Sequence, residues 1–228
     1  MSNDTQQMQE VEKFFSGFAT EWSTHYGAKR GFLRRWFDRT FRRSIYQRYE
    51  RTFAALGSDL TGQTILDVGC GNGAYTFEAA RRGAAWVLGT DVAEGMIGLC
   101  NEQRRGSGLE GSTKFLCTRF PPSSTVPELE RKFNVAIVMG VMDYIPDPLP
   151  FLKALRDRIS GSALITFPAK DWLRWPLRRW RYRLLERCAV FHYHESQVRE
   201  ACAAAGFGRL EIELLARMGS CYFVRAFV

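Results

Sequence analysis

The sequence ILDVGCGNGAY, residues 65–75, places three glycines directly after a short apolar run. Gly69, Gly71 and Ala74 satisfy the G-x-G-x-x-G/A pattern of a dinucleotide-binding turn. Asp67 stands two residues before the first glycine, where its charge would repel the pyrophosphate of a dinucleotide. The turn therefore favours a ligand with a cationic end over NAD or FAD.

A second acid follows at the interval expected for a ribose contact. Asp91 ends the run WVLGTD, 22 positions after Gly69, and a carboxylate at such a strand end can accept both hydroxyls of a ribose. The two acids and the glycines together predict a site for a ribose and a positive charge, with little or no phosphate.

Apolar runs alternate with helical patterns along most of the chain. Strands are predicted at 65–68, 86–90, 114–117, 135–139 and 163–167, with helices at 75–82, 93–105 and 148–159 between them. A helix at 195–205 precedes two β-like runs, 209–216 and 221–228, that are close enough to pair as an antiparallel hairpin. This order predicts an α/β, Rossmann-like, seven-stranded sheet, parallel with a C-terminal antiparallel hairpin and helices on both faces.

Residues 1–60 precede the first strand and form a predicted N-terminal helical extension. Two apolar stripes at near-helical spacing support it: Val11, Phe14, Phe18 and Trp22, and then Ile45, Tyr49, Phe53 and Leu56.

The motifs LDVGCGNG, GTD and FNVAIVMGVMDYIPDPLPFL, in this order, resemble the class I S-adenosylmethionine-dependent methyltransferases of the small-molecule branch. The resemblance covers about residues 60–167 and implies a methyltransferase domain over 61–228, with 1–60 folding as a lid over the active site. It implies that Asp67 and the Gly69 backbone bind the methionine ammonium. It also implies that Gly71 and Gly73 line the ligand and that Asp91 holds the ribose.

The adenine contact departs from the family pattern. The family usually carries an acid at the end of the third strand, whereas this chain reads FLCTRFPP with Arg119 near that place. Thr118 or the backbone near Cys117 are the alternatives, and Met96 either packs on the ring or belongs to the core. The complete predicted set of cofactor-binding residues is Asp67, Gly69, Cys70, Gly71, Gly73, Asp91, Val92, Met96, Thr118, Arg119, Met139 and Gly140.

Chemistry is expected after the fourth strand, in MGVMDYIPDP, because ligands bind beyond the carboxyl ends of parallel strands. Related methyltransferases often carry Glu and His where this chain has Asp143 and Tyr144. Asp143 is the predicted general base, with Tyr144 and His192 as catalytic helpers, while His194 is expected to cap a helix. The alternatives are that Asp143 is a helix-capping or loop carboxylate and that Tyr144 forms a wall of the cofactor pocket. No metal is predicted, since the metal-binding variant has an acid where Gly140 stands.

The net charge of +8 is concentrated in two segments. Residues 27–51 hold nine Lys/Arg against two acids, and residues 170–187 hold seven against two. The second lies in an insertion at about 170–190 that contains a basic amphipathic helix, 173–187. It predicts an anionic or lipid-linked small-molecule substrate and peripheral membrane contact, against the alternative of a solvated arginine face.

Three functions remain open from the sequence. The first is methyl transfer from S-adenosylmethionine to a small-molecule or lipid-linked acceptor, with oxygen preferred to nitrogen. An RNA methyltransferase is the second, although nucleic acid is not expected because the chain lacks an NPPY-like motif and an RNA-binding domain. The third is an S-adenosylmethionine-binding module that docks a partner or membrane without turnover.

The start of the chain, MSNDTQQMQE, lacks the features of a signal peptide, and no apolar run approaches the roughly 18 residues of a spanning helix. The six cysteines show no C-x-x-C spacing, which indicates reduced thiols. We therefore expect a cytoplasmic protein, and the sequence gives no indication of its oligomeric state.

Overall fold

A computed structural model describes residues 45–169, 190–215 and 221–228. Its seven strands form one sheet in the order β3-β2-β1-β4-β5-β7-β6. The strands are β1 Thr64–Val68, β2 Trp86–Asp91, β3 Thr113–Cys117, β4 Phe133–Val138, β5 Ile159–Pro168, β6 Arg209–Leu215 and β7 Cys221–Phe227. The first five run parallel, and β7 is antiparallel to both β5 and β6. This confirms the predicted parallel sheet with a terminal hairpin.

Helices cover both faces of the sheet. They are α1 at 45–56, α2 Ala74–Arg81, α3 Glu94–Arg104, α4 Pro148–Asp157 and α5 Glu195–Ala204. Because successive strand residues face opposite sides, Leu66 joins the core that contains α4 and α5, while Ile65 joins the core that contains α1 and α2. A smaller cluster packs Cys100 of α3 against Phe115 of β3.

The fourth helix is shorter than predicted. Its start is confirmed, since Asp147 Oδ1 accepts the Leu149 N–H at 3.0 Å and Pro148 occupies the first turn. The helix ends at Asp157 rather than at 159. Ile159 instead begins β5 and pairs with Phe133, because burying both side chains in the sheet outweighs one more residue of helix.

Helix α1 buries most of the predicted stripe. Phe53 is buried, Tyr49 and Leu56 pack against the same cluster, and the Phe53 ring packs with Tyr49 and Tyr75. Ile45 differs from the prediction, because it is 40% exposed, and the buried polar residue Thr52 belongs to the inner face.

Several sequence predictions lie outside the described residues. These are the stripe from Val11 to Trp22, the basic segment 27–44 and the basic helix 173–187 within the insertion. Among the described residues, none of the helices combines the length and the apolar character needed to cross a bilayer.

Replacing Phe133 with alanine should lower the free energy of unfolding by about 3–5 kcal/mol, because the change empties a fully packed site. Phe133 is fully buried and its ring stacks on Trp86 with centroids 5.7 Å apart. Urea denaturation followed by circular dichroism measures the loss. Leu214→Ala is the control, since Leu214 is 52% exposed and should cost about 1 kcal/mol or less. Equal losses in the two variants would contradict the packing argument.

Candidate functional site

The predicted site residues gather at one edge of the sheet, where the parallel strands end. The glycine loop follows β1, Asp91 and Val92 end β2, Thr118 and Arg119 follow β3, and residues 139–144 follow β4. The strand order places β1 between β2 and β4, so these four loops are neighbours. This is the edge at which ligands bind in open parallel sheets.

The glycine loop is held by β2 and by the loop after β4. Gly69 and Cys70 donate their N–H groups to the Thr90 carbonyl at 2.7 and 3.0 Å. Gly69, Gly71 and Gly73 all have positive φ, at 72°, 52° and 75°. A Cβ on Gly69 would meet Val141 Cγ2 at 2.4 Å, whereas a Cβ on Gly71 would meet nothing within 4 Å. Gly71 is therefore the glycine that opens onto free space.

Gly73 packs closely on the core under the loop. A Cβ there would lie 2.9 Å from the Phe77 ring and 3.1 Å from both Cys100 Sγ and the Phe115 ring. The missing side chain therefore faces this core cluster, and the contact of the Gly73 backbone with a ligand stays a prediction. Gly73 allows α2 to begin directly above that cluster.

Asp67 is 1% exposed at the end of the central strand β1. Its Oδ2 accepts a hydrogen bond from Thr76 Oγ1 at 2.7 Å, a donor from the first turn of α2. Burial raises the pKa of Asp67 from 3.8 to about 7, an effect that the Thr76 hydrogen bond opposes and nearby Asp91 reinforces. The site thus contains a carboxylate that gains from an incoming cation.

Asp91 ties the second strand to the glycine loop. Its Oδ2 accepts the Gly71 N–H and its Oδ1 accepts the Ala93 N–H, both at 2.9 Å. Burial raises the pKa of Asp91, and these N–H donors oppose the rise. Each carboxylate oxygen has more than one acceptor site, so the group can also accept hydroxyl donors from a ligand.

The end of β3 lies beside Asp91. Thr118 donates its N–H to the Asp91 carbonyl at 2.9 Å and Cys117 Sγ lies 3.6 Å from the Val92 carbonyl, whereas Arg119 is exposed. Met96 is buried against Ala93 in a small cluster, as the core interpretation has it. Of the proposed adenine neighbours, Thr118 is thus hydrogen-bonded to Asp91 through its backbone, and Cys117 is the residue paired with Asp91 in the sheet.

Arg48 is a component of the site that sequence reasoning missed. It lies on α1, and its Nη1 is 3.5 Å from the position that a Cβ on Gly140 would occupy. Its Nε is buried without a hydrogen-bond partner in the described structure. Burial tends to lower the pKa of Arg48, and interactions with Cys221 and Asp143 raise it by more, so the guanidinium remains charged.

The available signal for Arg48 was its place on the helix. Arg48 and Thr52 are four residues apart and border the apolar stripe of Tyr49 and Phe53. Arg48 is one of nine Lys/Arg residues in 27–51, so charge alone does not distinguish it from the others.

The loop after β4 supports the predicted catalytic group. Gly140 donates its N–H to Thr166 Oγ1 at 2.9 Å, and Met139 is half-buried beside α1. Asp143, 6% exposed, lies in a single 3₁₀ turn, Met142–Tyr144. The Phe191 N–H donates to the Asp143 carbonyl at 2.8 Å, which brings the neighbouring His192 to this loop. The chain thus assembles Asp143, Tyr144 and His192 in one region.

Two further observations complete the site. His194 is the N-cap of α5, where its N–H donates to Gln197 Oε1 at 2.8 Å, as expected for a capping residue. Within the described ranges, no group of three His, Cys, Asp or Glu side chains is placed to hold a metal ion.

A family model described as "Methyltransferase domain" matches residues 37–211. The chain is 33% identical over 115 residues to the ubiquinone biosynthesis O-methyltransferase of Ruegeria pomeroyi, covering 50% of this chain and 41% of that protein. It is 32% identical over 113 residues to the enzyme of the same name from Neisseria meningitidis, covering 48% and 45%. The chain thus matches less than half the length of these relatives.

The fold has solved counterparts at low identity. The magnesium protoporphyrin IX methyltransferase of Synechocystis PCC 6803, solved with bound SAH, superposes with a TM-score of 0.74 at 18% identity, covering 95% of this chain and 97% of that one. This likeness confirms the fold, and the family match extends over most of the chain. The chain therefore belongs to the methyltransferase-domain family, within the class I S-adenosylmethionine-dependent methyltransferases that its motifs resemble.

Proposed function

We propose that this protein is an enzyme that transfers the methyl group of S-adenosylmethionine to an oxygen atom of a small-molecule acceptor. The observation that carries the proposal is a pair of opposite charges around Tyr75. Tyr75 interacts electrostatically with both Arg48 and Asp67, so the two ionisable groups lie in one neighbourhood. A buried cation and a buried carboxylate in the same neighbourhood suit the two charged ends of an amino acid.

The residues present fit the methionine part of the cofactor. Asp67 would accept the ammonium group, which removes the cost of its own buried charge. The unpartnered Nε of Arg48 would donate to the carboxylate. The open side of Gly71 lets the backbone approach a ligand closely, as a side chain there would not.

The nucleoside part would lie toward β2 and β3. Asp91 is already oriented by the Gly71 and Ala93 N–H groups, and its free acceptor positions suit the ribose hydroxyls. Thr118 and the backbone beside it would then face the adenine. A Thr hydroxyl in place of the usual acid is consistent with a neutral hydrogen bond to the adenine amino group.

The acceptor would lie beyond β4. S-adenosylmethionine supplies a methyl group bound to a sulfonium. Because the sulfonium is a good leaving group, the transfer requires little acid–base catalysis by the protein. Asp143 would take the proton of the acceptor hydroxyl, while Tyr144 and His192 orient it and exclude water. Arg48 interacts electrostatically with Asp143, so a positive charge lies near this group.

The nature of the acceptor is the finer part of the proposal. The named relatives are O-methyltransferases of ubiquinone biosynthesis, which favours oxygen as the methylated atom and a small molecule over RNA. We extend this to an anionic or lipid-linked acceptor reached at a membrane surface, because of the positive charge in 27–51 and 170–187. The protein would then be a peripheral cytoplasmic enzyme.

Replacing Asp67 with Asn should stabilise the cofactor-free protein at pH 8 and have little effect at pH 4. The folded-state pKa is raised, so the protonated group contributes fully below about pH 4, and this contribution is lost as the pH rises through about 7. The pKa shift from 3.8 to about 7 corresponds, at about 1.4 kcal/mol per pKa unit, to a gain of up to about 4 kcal/mol in the free energy of unfolding of Asp67→Asn at pH 8.

Urea titrations at pH 4 and pH 8 measure this gain. The matched control is Asp157→Asn, an exposed position at the end of α4. Its free energy of unfolding should equal that of wild type at both pH values. A loss of stability in Asp67→Asn at pH 8 would contradict the buried-charge assignment.

Replacing Arg48 with Met should weaken S-adenosylmethionine binding by about ten- to a hundredfold, the size of a hydrogen bond to a charged group. Decarboxylated S-adenosylmethionine lacks the carboxylate that Arg48 would bind, so its affinity should fall less than about threefold in Arg48→Met. Calorimetry measures both affinities. Arg51→Met, on the same helix but paired with Glu213 at the surface, should bind both ligands as wild type does. Asp91→Ala should weaken the binding of both ligands to the same extent, because both carry the ribose. Equal losses for both ligands in Arg48→Met would refute the carboxylate contact.

Replacing Asp143 with Asn should slow turnover about a hundredfold and leave S-adenosylmethionine affinity unchanged, because it removes a base and not a cofactor contact. The assay offers a catechol, an aromatic amine and an aliphatic carboxylic acid, with products identified by mass spectrometry. Asp147→Asn is the control, since Asn also caps helices. Methylation of the amine alone would overturn the assignment to oxygen, and unchanged turnover in Asp143→Asn would remove it as the base.

A further inference from the structure

The hydroxyl of Thr76 supports the charge on which cofactor recognition depends. Thr76 is the third residue of α2, fully buried, and its Oγ1–H donates to Asp67 Oδ2 at 2.7 Å. The Thr76 backbone N–H acts on the same carboxylate and also favours its charged form. The Thr76 hydroxyl is thus the donor that hydrogen-bonds Asp67, and the backbone N–H of the same residue acts in the same direction.

The other acidic groups around Asp67 do not favour its ionisation. Asp91, from β2, adds negative charge to its surroundings. The Cys70 thiol in the glycine loop and the Tyr75 hydroxyl on α2 also interact electrostatically with Asp67. Arg48, from α1, is the cation of this neighbourhood and interacts with Tyr75. Burial and Asp91 oppose the ionisation of Asp67, whereas the donor groups of Thr76 favour it.

We propose that Thr76 is a positioning residue that keeps Asp67 ionised and directed at the ammonium group of the cofactor near neutral pH. The inference rests on the proposed function, in which Asp67 binds that ammonium. Thr76 touches no ligand itself and acts only through the carboxylate.

The identity of the residue matters for a physical reason. Because Thr76 is fully buried, water cannot replace its hydroxyl when the side chain is changed. Its β-branched side chain has few rotamers on a helix, which holds the hydroxyl in place. Valine would fill the same volume and offer no donor, whereas serine would retain the donor.

The test measures S-adenosylmethionine affinity by calorimetry from pH 6 to pH 8.5 in wild type, Thr76→Val and Thr76→Ser. Loss of a hydrogen bond to a charged group should raise the Asp67 midpoint by about one pH unit. The ratio of wild-type to Thr76→Val affinity should then be about tenfold at pH 6 and fall toward unity by pH 8.5. Titration of the ligand's own amine affects both proteins equally and cancels in the ratio. Thr76→Ser should stay within about twofold of wild type throughout.

The matched control is Thr113→Val, another buried threonine whose hydroxyl bonds the Leu109 carbonyl at the far edge of the sheet. Its affinity ratio should be near unity at every pH. Thr76→Ala, which also lacks the hydroxyl, replaces Thr76→Val if the latter does not fold, with thermal unfolding as the check.

The outcomes separate this inference from the proposed function. A Thr76→Val ratio that is the same at every pH would show a packing effect alone and overturn the role of Thr76. If Asp67→Asn itself binds S-adenosylmethionine as tightly as wild type, the ammonium contact fails, and the proposed function fails with it. Weak binding in Asp67→Asn together with a flat Thr76→Val ratio would overturn only the role of Thr76.

Discussion

A carboxylate buried at the end of the central strand is the constraint on which the rest of the site depends. Asp67 is held by a threonine hydroxyl, and burial raises its pKa to about 7. Such a group is poorly solvated in the absence of a ligand, and an incoming cation compensates it. The glycine loop, Asp91 and the first turn of α2 lie around that carboxylate, and in the proposed function its charge would determine the kind of ligand that the site accepts.

The site combines groups from distant parts of the chain, and the sheet topology brings them together. Arg48 comes from α1, Asp91 from the second strand and Cys221 from the last. Because parallel strands end at one edge, each loop contributes there without any change in the scaffold. Gly69 permits the contact between the first and fourth strand loops, since a side chain at that position would overlap Val141. The loops are thus packed against one another as well as anchored to the sheet.

The two halves of the site differ in how they are supported. The proposed cofactor side lies at the ends of β1 and β2, where the Gly71 and Ala93 N–H groups orient Asp91 and the Thr76 hydroxyl holds Asp67. On the acceptor side, Asp143 lies in a single 3₁₀ turn that is braced through its carbonyl by Phe191. Rigid strand ends preserve a binding geometry, whereas turns can vary with the substrate. The sequence follows the family motif at the glycine loop and at Asp91, and it departs from that motif at the end of β3 and after β4.

The sequence by itself determined the strand order along the chain, the terminal hairpin and the carboxylates of the cofactor loop, because strand periodicity and glycine spacing are local properties. Only the tertiary structure decided which neighbours surround Gly73, whose missing side chain faces Cys100 and the core under the loop. It also decided which arginine of a basic segment enters the site and which donor holds Asp67. Burial and long-range contact decide such roles, and Arg48 and Gly140 are 92 residues apart in the chain yet adjacent in the fold.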